Sequence, residues 1–397
     1  MARTKKYPGV YERNDTKTKS YYFMISTTDP RTGKRSQKKS QSYSNPADAY
    51  KDLIDSKDKL LKGKYIEPTK MTLKEWLQKW LSDKELSLKK VTLNSYTNRA
   101  KHIIESIGHI RLNELTKDHI HDFYKELKQK NKEIFNGKKK VVTDKKLSSR
   151  SIHDTHKVLK MALIQAYKDE KIPRDIAAQI ESPKLLKTNH KILKAEEVNL
   201  LLTAAKGDPA YCPIYLGLIC AMREAEVLGL RWDDVDFDNN IIQVVRTLDH
   251  EDDHQAITDG TKTSAGTRAI EIDDEIVEVL LAQKRLVEKY KDVAGELYHD
   301  NNLVCPTSIG TPWNPSNLRR SLYRIIHKAG VTRVKFHELR HSHASISVKS
   351  GANIKALSTK LGHSSIRVTL DMYSHVIPGM QREGLAKFRD EINKTRS

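Results

Sequence analysis

Between residues 71 and 182 apolar side chains return every three or four positions, so this stretch can bury them only as helices packed on one another. Thr72-Leu73-Lys74-Glu75 has the spacing of a capping box, in which hydroxyl and carboxylate each satisfy an amide that a helix start leaves unpaired. Leu73, Trp76, Leu77 and Trp80 follow at i, i+3, i+4 and i+7 and define one buried stripe. Both tryptophans lie on it, so they are read as core. The same period predicts helices over 91–107, 117–128 and 149–169, the last with Ile152, Leu159, Leu163 and Tyr167 facing inward. Residues 131–147 interrupt the pattern with a polar, lysine-rich connection. A loop of that length is either a functional arm or a solvated linker.

The flanks read differently. Residues 21–26 (Tyr-Tyr-Phe-Met-Ile-Ser) predict a strand, and Asp29-Pro30-Arg31-Thr32-Gly33 a turn in which Pro presets φ and Gly supplies a positive one. A very basic return strand is expected over 35–43. Asn45-Pro46 then opens a helix running to about Leu61, with Asn at the cap and Pro in the first turn. Residues 181–190 read as a linker. Beyond it, helices are expected over 195–205 and 212–230, then two β-rich runs, 241–245 and 268–272, flanking a long loop. Helix and loop alternate from there to an amphipathic end at 382–394, carrying Leu385, Phe388 and Ile392. The expected fold class is multidomain: a small α+β module over 1–66, an all-α domain over 71–182, and a mainly α domain with a small antiparallel sheet over 190–397.

Charge narrows the partners. Lys and Arg number 71 against 51 Asp and Glu, a formal net charge of +20. The excess is clustered. Arg13, Arg35, Lys38 and Lys39 lie among the first forty residues, and Lys138, Lys139 and Lys140 in the 131–147 connection. Each phosphate neutralised by such side chains releases counterions, so a nucleic acid is the first partner to consider. These seven residues are the candidate DNA contacts, and the 131–147 arm is a candidate element for lying on DNA. The three cysteines show neither metal-ligand spacing nor a disulfide framework. The N-terminus has no apolar signal core, and the longest apolar stretch, around 214–222, is too short to span a bilayer. A soluble, cytoplasmic protein is expected.

The last third holds one tyrosine in a crowd of cations: His337-Glu338-Leu339-Arg340-His341, then Leu361-Gly362-His363-Ser364-Ser365, then Leu370-Asp371-Met372-Tyr373-Ser374-His375. Arg223 lies upstream. Two guanidiniums on one phosphate can stabilise the charge of a pentacoordinate transition state. Histidine can move a proton near neutrality. Lys262, in the loop between the β-rich runs, can protonate a leaving alkoxide. A free phenol is ionised in only about one molecule in a thousand at pH 7, so Tyr373 needs a base or a cationic pocket to become a nucleophile.

In this order, Arg223, Lys262, His337 with Arg340, His363 and Tyr373, the residues resemble the tyrosine recombinases, the integrases of temperate phages and conjugative transposons. The blocks 361–375 and 337–341 carry the likeness most strongly. It extends over about 190–380, by general pattern over 71–182, and more weakly to the first 66 residues as an arm-binding module. One motif departs: Ala221 and Ala225 stand where the family usually has glycine around the first arginine. The resemblance implies that Tyr373 forms a 3′-phosphotyrosyl bond while Arg223 and Arg340 clamp the non-bridging oxygens. It further implies that Lys262 protonates the 5′-oxygen, that His337 exchanges a proton with the tyrosine, and that His363 hydrogen-bonds the phosphate. No cofactor and no metal is implied. The implied partners are double-stranded DNA at core and arm sites, three further copies in a tetramer, and an accessory excision factor, with 71–182 and 190–397 forming a clamp.

Two rivals use the same residues. His337-Glu338-Leu339-Arg340-His341 fits the H-E-x-x-H zinc pattern, but a third ligand is required and no acidic residue follows before Asp371. A DNA-binding regulator without catalysis would share the charge and the helices but has no reason to carry the phosphate-cleaving set. His250, Asp252, Asp253 and His254 form an acidic loop, read as a surface insertion or a metal site.

Overall fold

The computed structural model describes residues 2–4, 6–13, 19–28, 35–40, 42–61, 70–136, 139–186, 191–251, 254–260 and 266–373, with 385–386, 388–389 and 392–393 near the end. The chain divides into two compact units, 1–186 and 187–397. It is mostly helical, with small sheets. No helix among the described residues is long and apolar enough to cross a membrane.

The first unit begins with an antiparallel sheet of β1 (Ala2–Arg3), β2 (Val10–Arg13), β3 (Ser20–Thr28) and β4 (Arg35–Lys39), in that order. Strands β3 and β4 were expected; β1 and β2 were not, because neither is long enough to show an alternation. Helix α1 (Pro46–Leu61) covers one face, packing Ala49 and Leu53 onto Val10, Phe23 and Ile25.

Four further helices follow: α2 (Leu73–Glu85), α3 (Lys90–Ile107), α4 (Lys117–Gln129) and, after a hairpin, α5 (Ser149–Lys168). The Thr72–Glu75 capping box forms as expected: the Glu75 amide donates to the Thr72 hydroxyl at 3.2 Å and the Thr72 amide to the Glu75 carboxylate at 2.8 Å. Trp76 and Trp80 are core, and the Trp76 indole N–H donates to the Ala162 carbonyl at 2.9 Å, so burial leaves that donor satisfied. Tyr167 does not face inward. The buried stripe of α5 advances Leu159, Leu163, Ala166, which turns Tyr167 outward at 42% exposure.

The expected all-α character of 71–182 is corrected by a hairpin, β5 (Asn131–Asn136) paired antiparallel with β6 (Lys139–Lys146). The 131–147 connection is therefore not a loop. Its signals were Gly137, a residue suited to a tight hairpin turn, and the β-branched run Val141-Val142-Thr143; the lysines masked both.

In the second unit, α6 (Ala195–Ala205) and α7 (Tyr211–Ile219) lead to α8 (Glu224–Gly229). A three-stranded antiparallel sheet follows, from β7 (Val235–Asp236), β8 (Ile241–Val244) and the later β11 (Arg268–Glu271), in the order β11-β8-β7. The long loop expected between β8 and β11 is largely a second hairpin, β9 (Arg246–Glu251) with β10 (His254–Asp259). Helices α9 (Asp274–Ala294), α10 (Pro315–Ala329), α11 (Phe336–Lys349), α12 (Ile354–Leu361) and α13 (Ile366–Tyr373) complete it. The core lies between α7, α11 and the sheet. Gly217 sets the α7–α11 approach: a Cβ there would stand 2.7 Å from the Phe336 ring.

The expected single helix over 212–230 is broken between α7 and α8. Ala221 takes φ +53°, the left-handed region, which no helix tolerates. This is the position where glycine was expected, and for alanine it costs roughly 1 kcal/mol. Arg223 is accordingly not inside a helix but at the cap of α8, in extended conformation.

Candidate active site

The break after α7 turns the backbone so that Arg223 leaves the apolar core while Met222 stays in it. Glu226, one turn into α8, then does two things at once. Its carboxylate accepts the Arg223 amide at 2.9 Å, capping α8, and accepts the Arg223 guanidinium at 2.6 Å. Arg223 also donates to the Gly362 carbonyl at 3.1 Å, and its side chain keeps 35% of its surface open.

Arg340 arrives from α11. It donates to the Ala221 carbonyl at 2.8 Å and to the Leu361 carbonyl, and is nearly fully buried. Adjacent carbonyls, of Leu361 and Gly362, thus hold the two arginines side by side although they lie far apart in sequence. Those carbonyls are available because α12 ends in Gly362 at φ +59°, with the Gly362 amide returned to Thr359 and the His363 amide to Ser358. This left-handed stop is why Leu-Gly-His appears as a unit.

His363 follows directly. Its Nδ1 lies 2.8 Å from the Thr369 hydroxyl on α13, and Thr369 is fully buried. Burial, then the charges of Arg340, Arg223, His337 and Arg268, push the imidazole down to about 4, so it is neutral at pH 7. His343, on α11, is also pushed down to about 4, by burial first and by Lys360 next. His337 is exposed at the start of α11, its ring edge-on to His341 with centroids 4.8 Å apart.

Two residues of this site escaped the sequence reading. Arg268 is 7% exposed on β11 and its guanidinium makes four hydrogen bonds: to both Glu226 oxygens at 3.1 and 2.9 Å, to the Lys360 carbonyl at 2.6 Å and to the Gly266 carbonyl at 3.0 Å. Its signal was strand phase: Arg268 shares a face with buried Ile270, and a charge on an apolar face must have a partner. Thr369 was the other, and nothing in its surroundings in sequence marks it. Burial would raise the Glu226 carboxyl, but the Arg268 hydrogen bonds and charge, followed by Arg223, overcome it and hold it at about 2.

Arg223, Arg340 and His363 are therefore brought together, with His337 among the charges acting on His363. Tyr373 is the last residue of α13, and its side chain lies outside the described residues. Lys262, between β10 and β11, lies wholly outside them. For the zinc pattern, Glu338 accepts the Lys335 amide at 2.7 Å as a helix cap, and no group of three or more His, Cys, Asp or Glu among the described residues is placed to hold a metal. Asp252 and Asp253 of the acidic loop are outside the description; Cys212 and Cys305 are buried free thiols 3.6 Å apart.

Of the candidate DNA contacts, Arg13, Arg35 and Lys39 are exposed. Strand register puts them on the sheet face away from α1: Arg13 opposite Ser20, Arg35 opposite Thr28 and Lys39 opposite Met24, with the Lys39 ammonium 3.6 Å from the Tyr22 ring centroid. Lys38 stands instead opposite Ile25. The side chains of Lys38, Lys139 and Lys140, and all of Lys138, are outside the described residues. Between α3 and α5 a cavity of about 360 Å³ is lined by Tyr96, Arg99, Lys157, Lys160 and Met161 among others.

Comparison with known proteins agrees with these elements. Residues 191–379 match the Phage integrase family and residues 72–128 match the Phage integrase, N-terminal SAM-like domain, together more than half of the chain. A tyrosine recombinase XerC-like protein of Caldanaerobacter subterraneus subsp. tengcongensis is 28% identical over 216 residues, covering 52% of this chain and 55% of that protein, so the chain spans about half the length of this relative. The fold is that of the Tn1549 transposon integrase solved in complex with a circular intermediate DNA (TM-score 0.64, 19% identity, 79% of this chain and 99% of that one). It is also that of lambda integrase solved as a tetramer bound to a Holliday junction (TM-score 0.54, 19% identity, 90% and 96%).

Proposed function

Because this chain belongs to the phage integrase (tyrosine recombinase) family, we propose that it is a site-specific recombinase that cleaves and rejoins DNA strands through a covalent 3′-phosphotyrosine, integrating and excising a mobile element or prophage. What carries the proposal is the convergence of Arg223, Arg340 and His363, with consecutive carbonyls of Leu361 and Gly362 fixing the two guanidiniums side by side. Separated, these groups would be ordinary surface charges; adjacent, they form a seat for one phosphate.

The Tyr373 oxygen attacks the scissile phosphorus, a bond to the 5′-oxygen breaks, and the protein carries the 3′-phosphate. Arg223 and Arg340 hold the non-bridging oxygens through the transition state, where the charge is greatest. Lys262 gives its proton to the leaving 5′-oxygen, and His337 takes the phenol's proton. His363 is neutral, so it donates to the phosphate without adding a charge. The 2.8 Å contact between Nδ1 and the Thr369 hydroxyl suits the tautomer this role needs, in which the hydroxyl donates to Nδ1 and the proton stays on Nε2 to meet the phosphate. The 5′-hydroxyl of a partner strand then attacks the adduct, reversing each step, so the chain needs neither cofactor nor metal.

The remaining parts serve DNA. Residues 71–182 form the core-site domain, 190–397 the catalytic domain and 1–66 the arm-site module. On the arm-site module, Arg13, Arg35 and Lys39 share a sheet face fit for a groove, and Lys138, Lys139 and Lys140 are assigned to the DNA backbone on their charge. The working assembly is a tetramer on two DNA sites in the cytoplasm, with an accessory excision factor as a further partner. A denaturing gel of the protein with a nicked suicide site tests the chemistry. Tyr373→Phe is expected to keep DNA binding and lose the covalent band; a band that survives the substitution rules out Tyr373 as nucleophile.

A further inference from the structure

We propose that Arg268 is a positioning residue for the strand-cleavage reaction, holding Arg223 in its phosphate-binding pose through the shared carboxylate of Glu226. The proposal rests on the recombinase reading above.

Glu226 has two oxygens and three customers. Oε1 accepts from Arg223 at 2.6 Å and from Arg268 at 3.1 Å; Oε2 accepts from the Arg223 amide at 2.9 Å and from Arg268 at 2.9 Å. Arg268 therefore grips both oxygens with a planar fork and fixes the carboxylate's rotation. Arg223 binds only one oxygen through its side chain, so its direction follows the plane that Arg268 sets. The two arginines also differ in access: the Arg268 side chain is 3% exposed and that of Arg223 35%. Arg268 spends its fork on the Glu226 carboxylate and lies where a fixed orienting group belongs.

The other two hydrogen bonds of Arg268 point to the same role. One runs to the Lys360 carbonyl, in the turn of α12 whose next two carbonyls, of Leu361 and Gly362, hold Arg340 and Arg223. The other runs to Gly266, at the end of the segment carrying Lys262. One guanidinium thereby ties together the carboxylate behind Arg223, the helix end that supports both phosphate arginines, and Gly266, four residues after the proposed general acid in sequence. A displacement of about 1 Å at a reacting group is enough to lower a rate about a hundredfold.

The test compares wild type, Arg268→Lys and Arg268→Met in single-turnover cleavage of a suicide DNA site, with DNA affinity and thermal unfolding measured on the same proteins. The expected result is a cleavage rate lower by about a hundredfold in Arg268→Met, with partial recovery to about tenfold in Arg268→Lys, which keeps the charge but loses the fork. DNA affinity should stay within about twofold, since the proposal gives Arg268 no contact with DNA. Equal rates in all three proteins overturn the proposal. So does a loss of rate that is matched by an equal loss of affinity and of cooperative unfolding in both variants, which assigns Arg268 to the core alone. A wild-type protein that forms no adduct refutes the recombinase reading itself, and the positioning role with it; the two failures are told apart by the wild-type lane.

Discussion

Replacing Glu226 by Gln removes one charge and keeps the shape. Glu226 is 1% exposed and faces two guanidiniums, so Glu226→Gln leaves Arg223 and Arg268 close together with nothing between them to neutralise either. The amide can still accept through its oxygen, but its NH2 points a donor at a donor. The carboxyl is held at about 2 against an ordinary 4.5, and that difference is worth about 3 kcal/mol at neutral pH. The loss of one partner from a buried ion pair falls in the same range. For a unit of this size, about 3 kcal/mol lowers Tm by about 6–12 °C. The pH dependence provides a second signature. Because the folded carboxyl titrates below the unfolded one, its stabilisation is complete above about pH 4.5 and disappears as pH falls toward 2. Calorimetry of the full chain between pH 2 and 8 should show this acid-sensitive component in wild type and its absence in Glu226→Gln. A variant that unfolds within about 2 °C of wild type at pH 7 and keeps the same acid dependence refutes the idea that Glu226 is the keystone of the two arginines.

Three further outcomes are expected. Lys262→Ala should slow cleavage by about 10²–10⁴-fold with little effect on binding, and a substrate with a 5′-thio leaving group, which needs no proton, should restore the rate; failure of that rescue excludes Lys262 as general acid. Thr369→Val, nearly the same shape, should slow adduct formation about tenfold by freeing the His363 tautomer, the worth of one buried hydrogen bond; an unchanged single-turnover rate excludes that role. Gly217→Ala should cost about 1–3 kcal/mol in urea unfolding, because its methyl would meet the Phe336 ring at 2.7 Å; a neutral result would mean that α7 and α11 can move apart freely.

What the amino-acid order determined by itself is everything that depends on near neighbours. The Thr72–Glu75 cap, the Leu73–Trp80 stripe and the Asn45-Pro46 start are interactions within one turn or one helix face, so they can be read without knowing what lies opposite. The membership of Arg223, Arg340 and His363 in one set was legible for a different reason: their order and local motifs carry the family likeness. Where local signals competed, lysine content hid the strand signals of the β5–β6 hairpin, and an unbroken apolar run hid the stop at Ala221. Only the tertiary structure decided that this stop exists, because a left-handed alanine is held there by packing against α11 and α12 and not by its own preference. The same is true of the Arg268–Glu226–Arg223 relay. Its members lie on β11 and on α8 with its cap, and a buried charge finds its partner across space, at a separation that no sequence period encodes.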